Sequence, residues 1–545
     1  MANKNILLIE PGYKNKYPPL GLMKIAQYHG PRGKKDNVTF TKGEDRAVLG
    51  KAWDRIYVTT LFSFEYQKIA RSIDFALQVV GGQADKIFVG GIAASLMRER
   101  FAAEARWRGI RFITGLLADA PATSLQLDDF SEELYSEDVH STPIEDLTPD
   151  YAILEQIPYK YPVHDAYFAY ASRGCIRKCS FCGVPKLEGA QRDAASLTGV
   201  VRAIDALYGP KKDLILMDNN VVASPRFKEI IAEIRDLGFL PDAKLKRSGR
   251  VSVQRRVDFN QGVDARILCK DPVYLRELSS ICLRPLRIAF DHLGLRGPYE
   301  KAVRYAHDSG LNELSNYMLY NFHDSPSDLF ERMRLNVRLN EELAIRIWSF
   351  PMRYQPTDRP DRGHIGEKWT RYQLRSLQLV LQATHGVVSG APEFFKRAFG
   401  DTLDEFESIL ALPHDFIFNR DWYERGPGNG EYLDYLTAAK ALTPTDRGEL
   451  LALLSSCDPR EFSTLVDRTA NPTVKRVLRF HVPVPKETLF KMWELQKAVK
   501  PSLVASDLIS EEERVEDAGL ENDETAEFQV EEKPRPRTKK KKVAA

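Results

Sequence analysis

What this sequence has little of narrows it first. Cysteine is scarce, six in 545 residues, and three of the six fall together rather than being spread as a disulfide framework requires. A disulfide-stapled scaffold is therefore excluded, and the usage fits a reducing, cytoplasmic setting. No run of about eighteen or more apolar residues exists, so no transmembrane helix is expected. The N-terminus, Met1-Ala2-Asn3-Lys4-Asn5, leads straight into a short apolar run at residues 6–9, too brief for the core of a signal peptide. Charge of one sign is also lacking. A formal charge of +2 leaves no global electrostatic case for binding nucleic acid or a membrane surface. The phosphate-cradling pattern G-x-x-x-x-G-K-[ST] is absent. Gly426-Pro427-Gly428-Asn429-Gly430 has no strand leading into it and carries a proline, so it reads as a mobile turn. What remains, 43% apolar residues in a long chain without a solenoid repeat, is the composition of a soluble globular protein of several domains.

Apolar runs at residues 6–9, 56–58, 87–89 and 110–113 read as buried parallel strands. Between two of them Ile69, Ile73, Ala76, Leu77 and Val80 recur at helical spacing. Strands alternating with amphipathic helices predict an α/β, doubly wound (Rossmann-like) domain over residues 1–150. Gly90-Gly91, directly after a strand, suits a turn where a ligand or a helix backbone comes close. The acidic stretch at 131–150 reads as a surface linker. From residue 167 the alternation resumes, with candidate strands at 167–171, 214–217, 257–259, 286–290, 317–320 and 345–350 and helical patterns after most of them. Six βα units predict a partial (βα)6 barrel over 160–358, whose functional loops lie at the C-terminal ends of the strands. Residues 359–500 are helical in pattern. In 501–545 an acidic stretch (Glu511 to Asp517) and Lys539 to Lys542 predict a disordered charged tail, with nucleic-acid contact the lesser reading of the lysine run.

Cys175, Cys179 and Cys182 lie in Ser172-Arg173-Gly174-Cys175-Ile176-Arg177-Lys178-Cys179-Ser180-Phe181-Cys182-Gly183, just past the first barrel strand and on the face where function is expected. Three thiolates on one loop can converge on one metal centre and leave a coordination position open. A zinc knuckle normally has four protein ligands, and the nearest further candidate, His164, lies before the strand. A CxxC redox pair leaves Cys175 without a purpose. Cys269, Cys282 and Cys457 are scattered and read as small buried residues. The spacing, the preceding strand and Phe181 beside the last cysteine together favour an iron–sulfur cluster.

With CxxxCxxC and an aromatic before the last cysteine, the chain resembles the radical S-adenosylmethionine (radical SAM) superfamily. The resemblance implies a 4Fe-4S cluster on Cys175, Cys179 and Cys182, with S-adenosylmethionine chelating the remaining iron. It implies reductive cleavage of the sulfonium to a 5′-deoxyadenosyl radical, and an electron donor such as a flavodoxin or ferredoxin. The cofactor supplies the hard chemistry and the protein positions it. Met217-Asp218-Asn219-Asn220 stands where family members meet the cofactor's amino group, although it departs from their common Gly-Gly-Glu. Asp258 to Arg266 resembles the third-strand region of members with a cobalamin-binding-like domain. On this likeness Phe181, Asp218, Asn219, Asp264 and Arg266 are candidate cofactor contacts, with an internal salt bridge the competing reading for Asp264 and Arg266. Asp291 is a candidate polar group in the barrel mouth, and Phe350-Pro351-Met352-Arg353-Tyr354 ends the sixth strand in a form familiar from these members.

Tyr17-Pro18-Pro19-Leu20-Gly21-Leu22 and Val89-Gly90-Gly91 are similar to the cobalamin-binding-like domain of that subgroup. The first 163 residues hold only His29 and His140 and no DxHxxG, so bound cobalamin is the lesser expectation. Arg173, Arg177 and Lys178 either neutralise cluster charge, attract an electron donor, or are solvated. Methyl transfer, methylthiolation, cyclisation and rearrangement all share this scaffold, so the substrate is not readable from the motif. The lack of a second clustered cysteine set points away from sulfur insertion. The competing classes are a non-enzymatic iron–sulfur protein, structural, sensing or RNA-binding through the lysine tail, and a colourless zinc module.

Overall fold

The computed structural model describes residues 3–117, 144–247, 252–388, 390–485, 487–489 and 491–492. The charged tail, His140 and most of the expected acidic linker lie outside the described residues. Among the described residues no helix is long and apolar enough to cross a membrane.

The N-terminal part is one parallel sheet of β1 (Asn5–Glu10), β2 (Asn37–Lys42), β3 (Arg55–Thr60), β4 (Ile87–Gly91) and β5 (Arg111–Ile113), in the order β2-β1-β3-β4-β5. Four of these are the expected strands. β2 is the addition. In Asn37-Val38-Thr39-Phe40-Thr41-Lys42 apolar and polar residues alternate on a half-exposed edge, so it forms no continuous apolar run of the kind that marks a buried parallel strand. The strand order reverses between β1 and β3, and in such sheets ligands bind beyond the strand ends at that point. Gly91, φ +108°, is indeed a close-approach position, but what comes close is the backbone of Thr60 on the neighbouring strand, 2.4 Å from where a Cβ would stand. Helix Tyr66–Val79 packs on the sheet through Ile69, Ile73 and Ala76, the stripe anticipated from spacing.

The second part begins with β6 (Ala166–Ala169), followed by a short antiparallel clip of β7 (Ser172–Arg173) with β8 (Arg192–Asp193). Then come β9 (Asp213–Leu216), the small hairpin β10 (Lys244–Lys246) and β11 (Ser252–Gln254), β12 (Arg256–Phe259), β13 (Val263–Asp264), β14 (Leu286–Ala289), β15 (Glu313–Tyr320) and β16 (Arg346–Arg353). The parallel sets β6-β9-β12 and β13-β14-β15-β16 are joined by a bridge from Val257 to Leu283, so all six expected barrel strands are found. Helices follow, among them Phe227–Asp236, Arg296–Asp308 and Pro326–Leu343, the last opened by a capping box of Ser325 and Asp328. From Arg371 onward the elements are helical. The glycine run at 426–430 joins helices Arg420–Arg425 and Asn429–Lys440.

The direction of each strand residue follows from its partners. Asn316 donates to Tyr299 Oη at 2.7 Å and Ser349 accepts from Asn336 at 2.7 Å, both on outer helices. Their neighbours Ser315 and Phe350 therefore face inward. On that inner face Arg287 makes a bidentate pair with Asp258, both bonds 2.8 Å, and donates to Ser315 at 3.2 Å. Burial acts to raise the Asp258 carboxyl, but the Arg287 guanidinium overcomes it and holds the group below its ordinary value. The pair's contribution is thus complete at neutral pH and is lost only as pH falls through that lowered value. Arg287→Met leaves a buried, unpaired carboxylate and is expected to cost about 3–5 kcal/mol in denaturant unfolding at pH 7, while Arg287→Met with Asp258→Leu recovers most of it.

Candidate functional site

The loop carrying the cysteines has a closed neck. β7 and β8 pair across it, the Cys175 amide donates to Gly189 O at 3.3 Å, and the Ala194 amide donates to Ala171 O at 3.0 Å. Gly174 has φ +74°, and a Cβ there would stand 2.3 Å from Ala190 O, so only glycine fits. Its amide donates to Glu188 Oε2 at 2.7 Å.

The second strand fastens this neck. β9 runs parallel to β6, so the residues after both strands emerge at the same end of the barrel. Asp218, 1% exposed, accepts from the amides of Ala171 and Ser172 and, at 2.7 Å, from Ser172 Oγ. Asn219 donates to Glu188 at 3.0 Å, and the Asn220 carbonyl accepts from Gln191 at 3.3 Å. The segment expected to meet a cofactor thus places the Asp218 and Asn219 side chains on the neck of the loop.

Asp264 and Arg266 form the salt bridge weighed as the competing reading. Asp264 caps helix Ala265–Leu268 and accepts from Arg266 Nε at 2.7 Å and from Arg177 Nε, on the cysteine loop, also at 2.7 Å. These bonds overcome burial and hold its carboxyl below the ordinary value. The three loop cations separate: Arg173 is buried, Arg177 is paired, and Lys178 is exposed. Phe181 sets its ring edge-on to Phe322 at 5.7 Å, and Phe322 in turn meets Tyr354 at 4.6 Å. Asp291, two residues past β14, acts on Cys179, and burial pushes its carboxyl up to about 6 against the pull of Arg332 and Arg266.

All six cysteines are free thiols. Cys282 is buried as expected, whereas Cys269 and Cys457 are only half-buried. Cys175, Cys179 and Cys182 are half-buried together in the mouth. Burial pushes the Cys179 and Cys182 thiols up, and Asp291 and the neighbouring thiols act in the same direction. Among the described residues no three His, Cys, Asp or Glu side chains form a ready single-ion site. Three coupled thiols on a neck-locked loop, facing a partly neutralised carboxyl, can become thiolates together once metal supplies the positive charge.

A histidine-ligated cobalamin does not fit the residues described. His29 is fully buried, with Nδ1 2.8 Å from Asp36 and Nε2 2.8 Å from Tyr57 Oη. Beyond the ends of β1 and β2, Glu10 is bonded by Asn15, Tyr161 and Lys42, and the Lys42 ammonium lies 4.6 Å from the Tyr159 ring. Sequence reasoning missed these buried charges, together with Glu188, Glu145 and the role of Arg173. Nothing in composition or spacing separates such residues from a solvated surface.

No family profile matches the chain. It is 26% identical over 220 residues to ribosomal protein uS12 methylthiotransferase RimO of Chlorobaculum parvum, covering 37% of this chain. The chain spans 42% of that relative's length. Among solved structures it is similar to the radical S-adenosylmethionine methyltransferase TsrM of Kitasatospora setae with cobalamin and a [4Fe-4S] cluster bound, at 15% identity and TM-score 0.42, over 66% of this chain and 74% of that one. It is also similar to the cobalamin-dependent S-adenosylmethionine radical enzyme OxsB, at 13% identity and TM-score 0.44, over 95% and 83%.

Asp218→Asn tests the neck. Because the Asp218 carboxyl is pushed up to about 6 by burial, its contribution is present below the unfolded value near 3.8 and is lost as pH rises through about 6. The variant is expected to flatten that part of the thermal midpoint's pH profile, read by calorimetry from about pH 4 to about pH 7.

Proposed function

We propose that this chain is a radical S-adenosylmethionine enzyme. The observation that carries the reading is the CxxxCxxC loop, with Phe181 before its last cysteine, emerging from the first strand of a six-stranded partial barrel. Cys175, Cys179 and Cys182 would hold a 4Fe-4S cluster, which when bound with S-adenosylmethionine supplies reductive cleavage to a 5′-deoxyadenosyl radical. The chain's own part is positional. Asp218, Asn219 and Glu188 fix the neck from which the cysteines project. Arg177 ties the loop to Asp264 at the end of β13, and the same carboxylate orients Arg266. Asp291, pushed up to about 6, faces the loop where a cationic ligand would stabilise its charged form.

Phe181, Phe322 and Tyr354 wall the mouth with rings, and helix Ile92–Leu96 of the N-terminal domain packs against helix Val184–Leu187 on the cysteine loop. Elements of both domains therefore lie against the cysteine loop. The electron donor in this reading is a flavodoxin or ferredoxin, and the setting is cytoplasmic, which the six free thiols support. Sulfur insertion is not part of the proposal, since Cys269, Cys282 and Cys457 are scattered along the sequence.

Anaerobically reconstituted and reduced with dithionite, the protein is expected to bind about four irons and release 5′-deoxyadenosine from S-adenosylmethionine. Cys179→Ala is expected to abolish that release. An intact cluster with no 5′-deoxyadenosine would instead assign a structural or sensing role, and zinc in a colourless protein would overturn the proposal.

A further inference from the structure

Four charged side chains of alternating sign run from the N-terminal domain to the base of the cysteine loop. Lys24, on helix Leu20–His29, has its Nζ 3.5 Å from Glu145 Oε1 and donates to the Glu145 carbonyl. The same Oε1 lies 3.8 Å from Arg173 Nη2. Arg173 Nε lies 3.4 Å from Glu188 Oε2, the oxygen that holds the Gly174 amide. No side chain in the series is more than 14% exposed. The Arg173 guanidinium stacks 3.9 Å over the Tyr170 ring, but its Nε and Nη1 have no aligned hydrogen-bond acceptor. Its charge is therefore held by two carboxylates from different segments, one on the loop and one on the short helix Ile144–Asp146.

We propose that Glu145 is a positioning residue for the cysteine loop, tying the loop's base through Arg173 to Lys24 of the N-terminal domain. Glu145 stands between two buried cations. With it in place the series is balanced, and without it Lys24 and Arg173 face each other in a poorly solvated space. Removing one member of a buried pair is costly because its partner's charge is left uncompensated. The strain falls on Arg173, whose backbone adjoins Gly174 and whose partner Glu188 grips the Gly174 amide, one residue before Cys175. Burial already pushes the Lys24 ammonium down, Glu145 opposes that effect, and Arg173 adds to it, so loss of Glu145 acts in one direction only. The N-terminal domain then holds the loop at two places, at its base through Lys24 and Glu145 and through helix Ile92–Leu96 against helix Val184–Leu187.

The inference rests on the reading that the three cysteines hold an iron–sulfur cluster, so the test reads cluster retention rather than turnover. Full-length wild type, Glu145→Gln, Lys24→Met and the double variant would be reconstituted anaerobically. The rate of iron loss to a chelator and the electron paramagnetic resonance spectrum of the reduced cluster would then be compared. Glu145→Gln is expected to lose iron roughly tenfold faster, as is usual for groups that orient metal ligands, and to shift the spectrum. Lys24→Met with Glu145→Gln is expected to return to within about twofold of wild type, because Arg173 and Glu188 are then left as a balanced pair. A Glu145→Gln variant indistinguishable from wild type overturns the proposal. So does a double variant as impaired as Glu145→Gln, which would mean that shape and not charge is at stake. Should Glu145→Gln fail to fold, recovery of folding and iron retention in the double variant supports the charge series, and failure there as well overturns it. Wild type that takes up no iron–sulfur cluster overturns the underlying functional reading itself, and is distinguishable from the other results because it needs no variant.

Discussion

The grip of Asp218 on the backbone of Ala171 and Ser172 is the contact on which the candidate site depends. Between Gly174 and Gln191 the chain has one short helix, Val184–Leu187, and no ladder to satisfy its backbone. A loop of that kind keeps a defined shape only if its base is held. The neighbouring strand supplies the hold. Because β6 and β9 are adjacent and parallel, the residues after β9 arrive at the height where the loop leaves β6. Barrel topology thus determines which residues can reach the neck. The three acceptor contacts of Asp218, the Asn219–Glu188 bond and the Gln191–Asn220 bond all follow from that adjacency.

The N-terminal sheet is turned to the same purpose. The loop after β1 extends away from its own sheet, and Tyr17 Oη donates to Asn260 Oδ1 at 2.6 Å, just beyond β12, while its ring meets Phe168 of β6. Tyr317, on the inner face of β15, donates to the Asn260 carbonyl at 2.9 Å. One asparagine therefore joins the N-terminal domain to opposite parts of the barrel. The start of that loop is anchored by Glu10, Asn15 and Lys42, where burial pushes the Glu10 carboxyl up and the Lys42 ammonium down.

Much of the architecture was legible in the sequence because buried parallel strands write themselves as short apolar runs. Six of the seven strands in the two parallel sets were anticipated, all but the two-residue β13, with ends shifted by a few residues where polar positions such as Asp213 and Arg256 continue the ladder. β2 was missed because an edge strand alternates, and the clip of β7 with β8 because two-residue strands carry no period. At the site the cysteines were legible from spacing, and the Asp264–Arg266 pair was foreseen as one of two readings. Glu188 and Glu145 were not. A single glutamate that will be buried looks the same as one that will be solvated, since burial is decided by residues far away in sequence. Asp218 was picked out for a different role. Its position after the second strand was visible, but the direction of its side chain depends on the turn at Ala171, which has no local signature.

Charge in this protein is otherwise placed with care for its partners, which sharpens the meaning of the thiols. Asp258 is matched by Arg287, and Asp264 by Arg177 and Arg266. Arg332, wholly buried, donates to the carbonyls of Phe290, Asp291 and Leu319 and to Asp324. In the helical part His414 and His481, both pushed down to about 3 by burial, are neutral partners packed around Tyr372. Against that pattern Cys175, Cys179, Cys182 and Asp291 lie near one another, with Arg266, already paired with Asp264, acting on both Cys179 and Asp291, and Arg332 acting on Asp291. Burial pushes Cys179, Cys182 and Asp291 the same way, toward their neutral forms, and Asp291 adds to the effect on both thiols. On a neck fastened by several independent contacts these groups are held where any added positive charge would offset burial and favour their ionised forms.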